Sequence, residues 1–349
     1  MKNASLKSIL EAISKVTLAI AGGILPLLYY FIIIATISGI ASAFFSVSYL
    51  KNPGPLHEDK NVIIKSGSSV IKISKQLAEE QVVEYPQLFA ILVKFVESGK
   101  SLKAGEYAFP PGITPMEVVK KIQNGDVLVR QITIPEGLLT IEIITNIINN
   151  PYLKGEVPDN IKDGDLLPQT YDFLYGDAKA KIIKRMQDAM NKTIDELWEK
   201  RAPDLILKTK QEALVLASII EKETGVKDER KRVAAVFINR LKKNMRLQTD
   251  PSVIYAITNG KYVLDRPLSH KDLEIDSNYN TYKYSGLPPA PITNPGRASI
   301  EAALNPLNTD ELYFVADGSG GHAFATTLEQ HNANVRNWRK FEKDAKKGE

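Results

Sequence analysis

Between Lys15 and Lys51 the chain carries no charged residue. About 20 apolar residues suffice to cross a bilayer as a helix, and Val16–Leu50 is rich in Ile, Leu, Phe and Ala. No polar face recurs in it at helical spacing, which argues against a helix of a soluble core. Ala41-Ser42-Ala43 has the small-x-small form of a signal cleavage site. The apolar region of a signal peptide, however, is typically only about 7–15 residues long, so we read a retained anchor. Gly22-Gly23 and Pro26 place its best helix from Leu27 to Leu50. Lys2, Lys7 and Lys15 stand against the single acid Glu11, which predicts residues 1–15 in the cytoplasm and the body outside the cytoplasmic (inner) membrane. Residues 16–50 are then the anchor and 51–59, with Lys51-Asn52-Pro53-Gly54-Pro55, a stiff linker.

The remaining length suits two domains. The net charge of +4 is only mildly basic, and Lys and Arg form no tract, so a nucleic-acid partner is not expected. Cysteine is absent, which excludes disulfides, thiolate zinc sites, iron–sulfur clusters and a cysteine nucleophile. His57, His270, His322 and His331 lack metal-ligand spacing. There is no Walker A or G-x-S-x-G motif, and Asp317–Gly321 reads as a hairpin turn. No cofactor and no metal are expected.

From 60 to 155 a unit of strand, glycine turn, Ser/Thr cap and helix recurs. It runs through Val62–Lys65 with Ser69, Glu106–Phe109 with Thr114 and Pro115, and Gln131–Ile134 with Thr140. From 156 to 349 the pattern changes to long helices at about 180–200, 210–224 and 227–243. A loop-rich stretch follows over 245–306, then a strand pair at 312–316 and 322–326 and a charged terminal helix. The fold class expected is α+β, with a smaller βα domain ahead of a mixed helical and β domain.

Within Gln211–Thr224, Leu214, Val215, Leu216, Ala217, Ile219 and Ile220 make a helix apolar nearly all round, hence buried. At 100° per residue Glu221 lies over Leu214 and Ala217, with Ser218 close by, and Glu223 lies on another side. Burial raises a carboxyl's pKa, which suits a general acid near neutral pH. An ion pair to Arg232 or Arg240 would equally explain a helix-end acid, and Glu223 is the nearest competitor for the catalytic role. Downstream, Tyr279-Asn280-Thr281-Tyr282 groups amides, hydroxyls and aromatic faces, and four prolines stiffen the loop around Asn294. Aromatic rings and amides are sugar-binding chemistry, although turn formation alone also selects these residues.

Several long segments together resemble the membrane-anchored endolytic murein transglycosylases of the YceG-like family. They include Leu214–Thr224, Arg232–Leu241, Leu247–Tyr255, Tyr279–Tyr282, Gly286–Gly296 and Tyr313–Ala316 with His322 and Phe324. Thr249 stands where the family often has Ser. The strand–Gly–Ser/Thr–helix opening of the first domain also resembles LysM modules, which bind N-acetylated glycans. The family resemblance implies a lyase that cleaves the β-1,4 bond between MurNAc and GlcNAc in (nascent) peptidoglycan strands, leaving 1,6-anhydro ends. It places the catalytic glutamate on Glu221. Gln248, Asp250, Tyr279, Asn280, Tyr282 and Asn294 are then candidates to orient or stack the sugars, with cell-wall synthases as neighbours. A non-catalytic peptidoglycan-binding scaffold, or a hydrolase pairing Glu221 with Asp250, are the rival readings.

Overall fold

The computed structural model describes residues 6–95 and 101–345. Helices α1 (Leu6–Ala19) and α2 (Leu25–Lys51) are joined by a π-helical turn at Ile20–Ile24, which holds Gly22 and Gly23. The whole stretch Leu6–Lys51 is long and apolar enough to cross a membrane, and a signal sequence would share that property. The chain divides into two compact units, Met1–Leu128 and Val129–Glu349.

In the first unit, β1 (Lys60–Ile64) is followed by α3 (Val70–Glu79), α4 (Pro86–Phe95), β2 (Gly105–Phe109) and α5 (Pro115–Asn124). β1 and β2 pair antiparallel, from Lys60 opposite Phe109 to Ile64 opposite Gly105. Ile73, Leu77, Phe89, Tyr107, Phe109, Val118 and Ile122 close the core beneath them. The helix starts follow from local chemistry. Ser69 accepts from Lys72 N–H, and Thr114 and Glu117 form a capping box ahead of Pro115. The sequence reading missed α4, whose apolar residues are buried only at Phe89, Leu92 and Val93.

The linker is also not a free spacer. Gly54 N–H donates to Ile113 O at 3.1 Å, Gly112 N–H donates to Leu56 O at 2.9 Å, and Leu56 is buried. A Cβ on Gly54 would stand 2.6 Å from Ile113 O, so the close approach requires glycine.

The second unit opens with β3 (Val129–Thr133) and α6 (Thr140–Ile148). It continues with β4 (Thr170–Leu174), α7 (Lys179–Trp198), α8 (Lys210–Glu223), α9 (Arg230–Lys242), α10 (Asp250–Thr258) and α11 (Arg297–Leu304). A hairpin, β5 (Tyr313–Ala316) and β6 (His322–Ala325), and α12 (Leu328–Ala345) complete it. β3 pairs antiparallel with β4, some forty residues on, rather than with β1 or β2, and the division between the compact units falls at 128/129. α10 and α11 lie inside the stretch read as loops, with Pro251 in the first turn of α10 and Gly296 as cap of α11. α8 is the central helix: Ala213 to Ile220 are all buried, packed with residues of α7, α9 and α11. Its polar last turn therefore emerges at a fixed place among the loops.

Candidate active site

The two acids at the end of α8 have different surroundings. The Glu221 side chain is 5% exposed. Its Oε2 accepts Gly296 N–H at 2.9 Å, and its Oε1 lies 3.5 Å from Arg230 Nη2. The same guanidinium nitrogen lies 3.3 Å from Glu136 Oε2. Burial and the neighbouring Glu221 charge push the Glu136 carboxyl up, against the lowering by Arg230.

Glu136 sits on the Pro135–Leu139 turn, which is laced to the loop before α11. Gly137 N–H donates to Asn294 O at 3.2 Å, and Asn294 N–H donates to Leu138 O at 3.1 Å. A Cβ on Gly296 would fall 1.8 Å from Glu136 Oε1, so a larger residue there would displace the Glu136 carboxyl from this seat. The ion pair considered for Glu221 thus exists, but with Arg230. Arg232 instead pairs with Glu311, and Arg240 donates to the carbonyls of Leu312 and Leu247.

Glu223 faces another set. Thr249 Oγ1 donates to its Oε1. Thr249 is the N-cap residue of α10, yet its hydroxyl makes no cap bond and goes to the acid instead. Burial pushes the Glu223 carboxyl up to about 7. The Thr249 hydrogen bond opposes this rise, Asp250 adds to it, and His322 and Arg240 oppose it. His322 is held by Glu229, its Nδ1 2.7 Å from Oε2 and its backbone N–H donating to Oε1 at 2.9 Å. Tyr282 OH donates to Asp250 Oδ1 at 2.6 Å.

The other sequence candidates divide between exposed or half-buried positions and the buried scaffold. Gln248 is exposed, at φ 49°, with its N–H on Thr281 O at 3.1 Å. Asp250 is exposed beside it, and Tyr282 is half-buried. Tyr279 packs on Tyr255, ring centroids 4.8 Å apart, at the edge of the helical core. Asn280 is fully buried: its amide donates to Leu273 O and Ile275 O, and its oxygen accepts Tyr282 N–H. Asn294 is fully buried too, accepting from Gly164 N–H and Leu166 N–H and donating to Leu138 O and Thr140 Oγ1. Both asparagines therefore brace loops.

A cavity of about 350 Å³ adjoins the end of α8, lined by Gly137, Lys222, Pro251, Tyr255, Tyr262 and Ile292 among others. Sequence reasoning missed Glu136, Arg230 and the roles of Thr249 and His322. Only the second-unit fold brings these together, and no local spacing signals it.

A carboxyl pushed up by burial beside hydroxyls, an imidazole and exposed polar loops has what a general acid–base site needs. The chain belongs to the YceG-like family, whose model it matches over residues 62–337. It is 37% identical over 304 residues to the endolytic murein transglycosylase of Bacillus subtilis (strain 168), covering 78% of this chain and 82% of that one. It is 30% identical over 321 residues to the Streptococcus pneumoniae (serotype 2, strain D39) protein of the same name, spanning 57% of that longer chain. A crystal structure of a YceG-like protein from Listeria monocytogenes matches with a TM-score of 0.51 at 35% identity, covering 79% of this chain and 99% of that one.

Proposed function

We propose that this protein is an endolytic murein transglycosylase, a lyase acting within peptidoglycan strands, and that Glu223, rather than Glu221, is its single acid–base carboxyl. What supports the assignment is the seat of Glu223 at the end of the buried α8, where the Thr249 hydroxyl reaches its carboxyl and burial pushes that carboxyl up to about 7. A carboxyl with that pKa is about half protonated at neutral pH, so it can both give up a proton and take one back.

Protonated Glu223 donates to the oxygen leaving C1 of N-acetylmuramic acid as the β-1,4 bond breaks. The resulting carboxylate takes the proton of the 6-hydroxyl, whose oxygen bonds to C1 and closes the 1,6-anhydro ring. No water enters. An internal nucleophile reaches effective molarities of about 10⁵ M or more when well oriented, so a second carboxylate is dispensable. Glu221, clasped by Arg230 and Gly296 N–H, holds the α8 end against the 293–296 loop. Asn280 and Asn294 shape the loops, while Gln248, Asp250, Tyr279 and Tyr282 are the side chains offered to sugar.

The β-α-α-β order of the first unit supports a LysM-like module. The apolar N-terminal helix supports a single-pass anchor; the lysines ahead of it argue for a body outside the cytoplasmic membrane, where cell-wall synthases would be neighbours. Digestion of purified peptidoglycan in ¹⁸O-water, read by mass spectrometry, tests the reaction. Anhydro ends without label support it. Labelled reducing ends would assign a hydrolase, and strand binding without new ends a scaffold.

A further inference from the structure

The first unit carries an unpartnered apolar face that the proposed chemistry does not use. Between α3 and α4 lies a cleft of about 450 Å³ lined by Val70, Ile71, Pro86, Ala90 and Ile91, with Lys75 and Lys94 on its rim. Ile71 is 64% exposed, Ile91 53% and Phe95 78%. A neighbouring hollow continues along α3 past Lys65 and Lys72. Contiguous exposed apolar surface of this kind marks an interaction site, and its lysine border selects an anionic partner.

The anchor's position indicates which partner. Tyr85 immediately precedes α4, and its ring lies 5.9 Å from that of Phe45 and 5.5 Å from that of Tyr49, both on α2. The cleft therefore begins one residue from the apolar helix. α2 has 27 residues, about 40 Å of helix against a hydrocarbon core of about 30 Å, so its last turns reach the headgroup level. The docked linker, with Gly54 on Ile113 and Leu56 buried, keeps the module from swinging away from the anchor.

We propose that the α3–α4 face lies on the bilayer surface at the C-terminal end of α2, with Ile71, Ile91 and Phe95 among the upper acyl chains. Lys65, Lys72, Lys75 and Lys94 meet anionic phospholipid headgroups. Apolar burial with a basic rim is the chemistry of interfacial binding, in which each lysine near an anionic surface adds about 1 kcal/mol. The proposal rests on the anchor reading of α2 and is independent of which glutamate is catalytic.

The chain has no cysteine, so a single spin label can be placed in the full chain. Ile91→Cys reports the face, Ile37→Cys the anchor, and Lys184→Cys, on α7, bulk solvent. In vesicles of phosphatidylglycerol and phosphatidylcholine, the label at 91 is expected to favour collisions with oxygen over a water-soluble nickel reagent several-fold more than the label at 184. Replacing the four lysines with glutamine, or removing phosphatidylglycerol, is expected to reduce that ratio. A label at 91 as wet as that at 184, with a lipid-embedded label at 37, overturns the proposal and leaves the anchor intact. A wet label at 37 overturns both. A wet label at 91 that soluble glycan strands immobilise assigns the cleft to sugar and also overturns it.

Discussion

Glu221 and Glu223 leave the same helix end two residues apart, yet they meet different groups. Glu221 meets a guanidinium and a backbone N–H. Glu223 meets the Thr249 hydroxyl, with Asp250, His322 and Arg240 acting on it, in a setting whose burial lifts it to about 7. Two residues along a helix turn a side chain by about 200°. One acid is therefore directed to the turn before α6 and the loop before α11, the other to the start of α10 and the β5–β6 hairpin. Burial alone does not mark a catalytic acid; what each buried carboxyl meets differs from one side of the helix to the other.

The largest expected effect separates the two directly. Glu223→Gln keeps shape and removes the titratable proton. Release of fragments from peptidoglycan is expected to fall by roughly 10²–10⁴-fold with the fold intact by circular dichroism. Unchanged release would return the catalytic role to Glu221.

Glu221→Gln is expected to act on stability first. Arg230 is buried and would keep only Glu136 as counter-charge, at a cost of roughly 3 kcal/mol in denaturant unfolding. Release at moderate temperature should fall far less than in Glu223→Gln. An unfolding midpoint equal to wild type would remove the clasp from the account.

Asn294→Ala deletes four hydrogen bonds, three of them fully buried, that join the 138–140, 164–166 and 293–296 segments. We expect a loss of about 2–4 kcal/mol. A variant that unfolds as wild type but binds glycan fragments more weakly would show Asn294 to be a sugar ligand after all.

A further effect is on the pH dependence of stability. The folded pKa of Glu223, about 7, lies above the ordinary 4.5. Between these values the folded chain holds a proton that the unfolded chain has lost. Its contribution is fully present below about 4.5, declines as pH rises, and is gone above about 7. Thermal scans of Glu223→Gln should show a shallower decline over that window than wild type. Parallel declines would place the ionisation elsewhere.

Much of this was legible in the sequence, for identifiable reasons. The apolar N-terminal helix, the caps at Ser69 and Thr114, the buried body of α8 and the β5–β6 hairpin follow from local periodicity and turn chemistry. The pairing of β3 with β4 did not, because the partner lies about forty residues on. Helical spacing also placed both glutamates correctly on different sides of α8. It could not say what each side would meet. Arg230, Glu136 and Gly296 come from three separate segments, and Thr249 and His322 from two more. Asn280 and Asn294 have the residue type of a sugar ligand, but their amides are engaged by the main chain.

The central claim is that one proton, held by Glu223, starts the cleavage. Its most direct test is the pH profile of kcat/KM for release of anhydro-ended fragments, which reports essential groups of the free enzyme. The account predicts a basic limb bending near pH 7 and falling about tenfold per unit above it, retained in Glu221→Gln and absent from the residual activity of Glu223→Gln. A bend that vanishes in Glu221→Gln and survives in Glu223→Gln would contradict it.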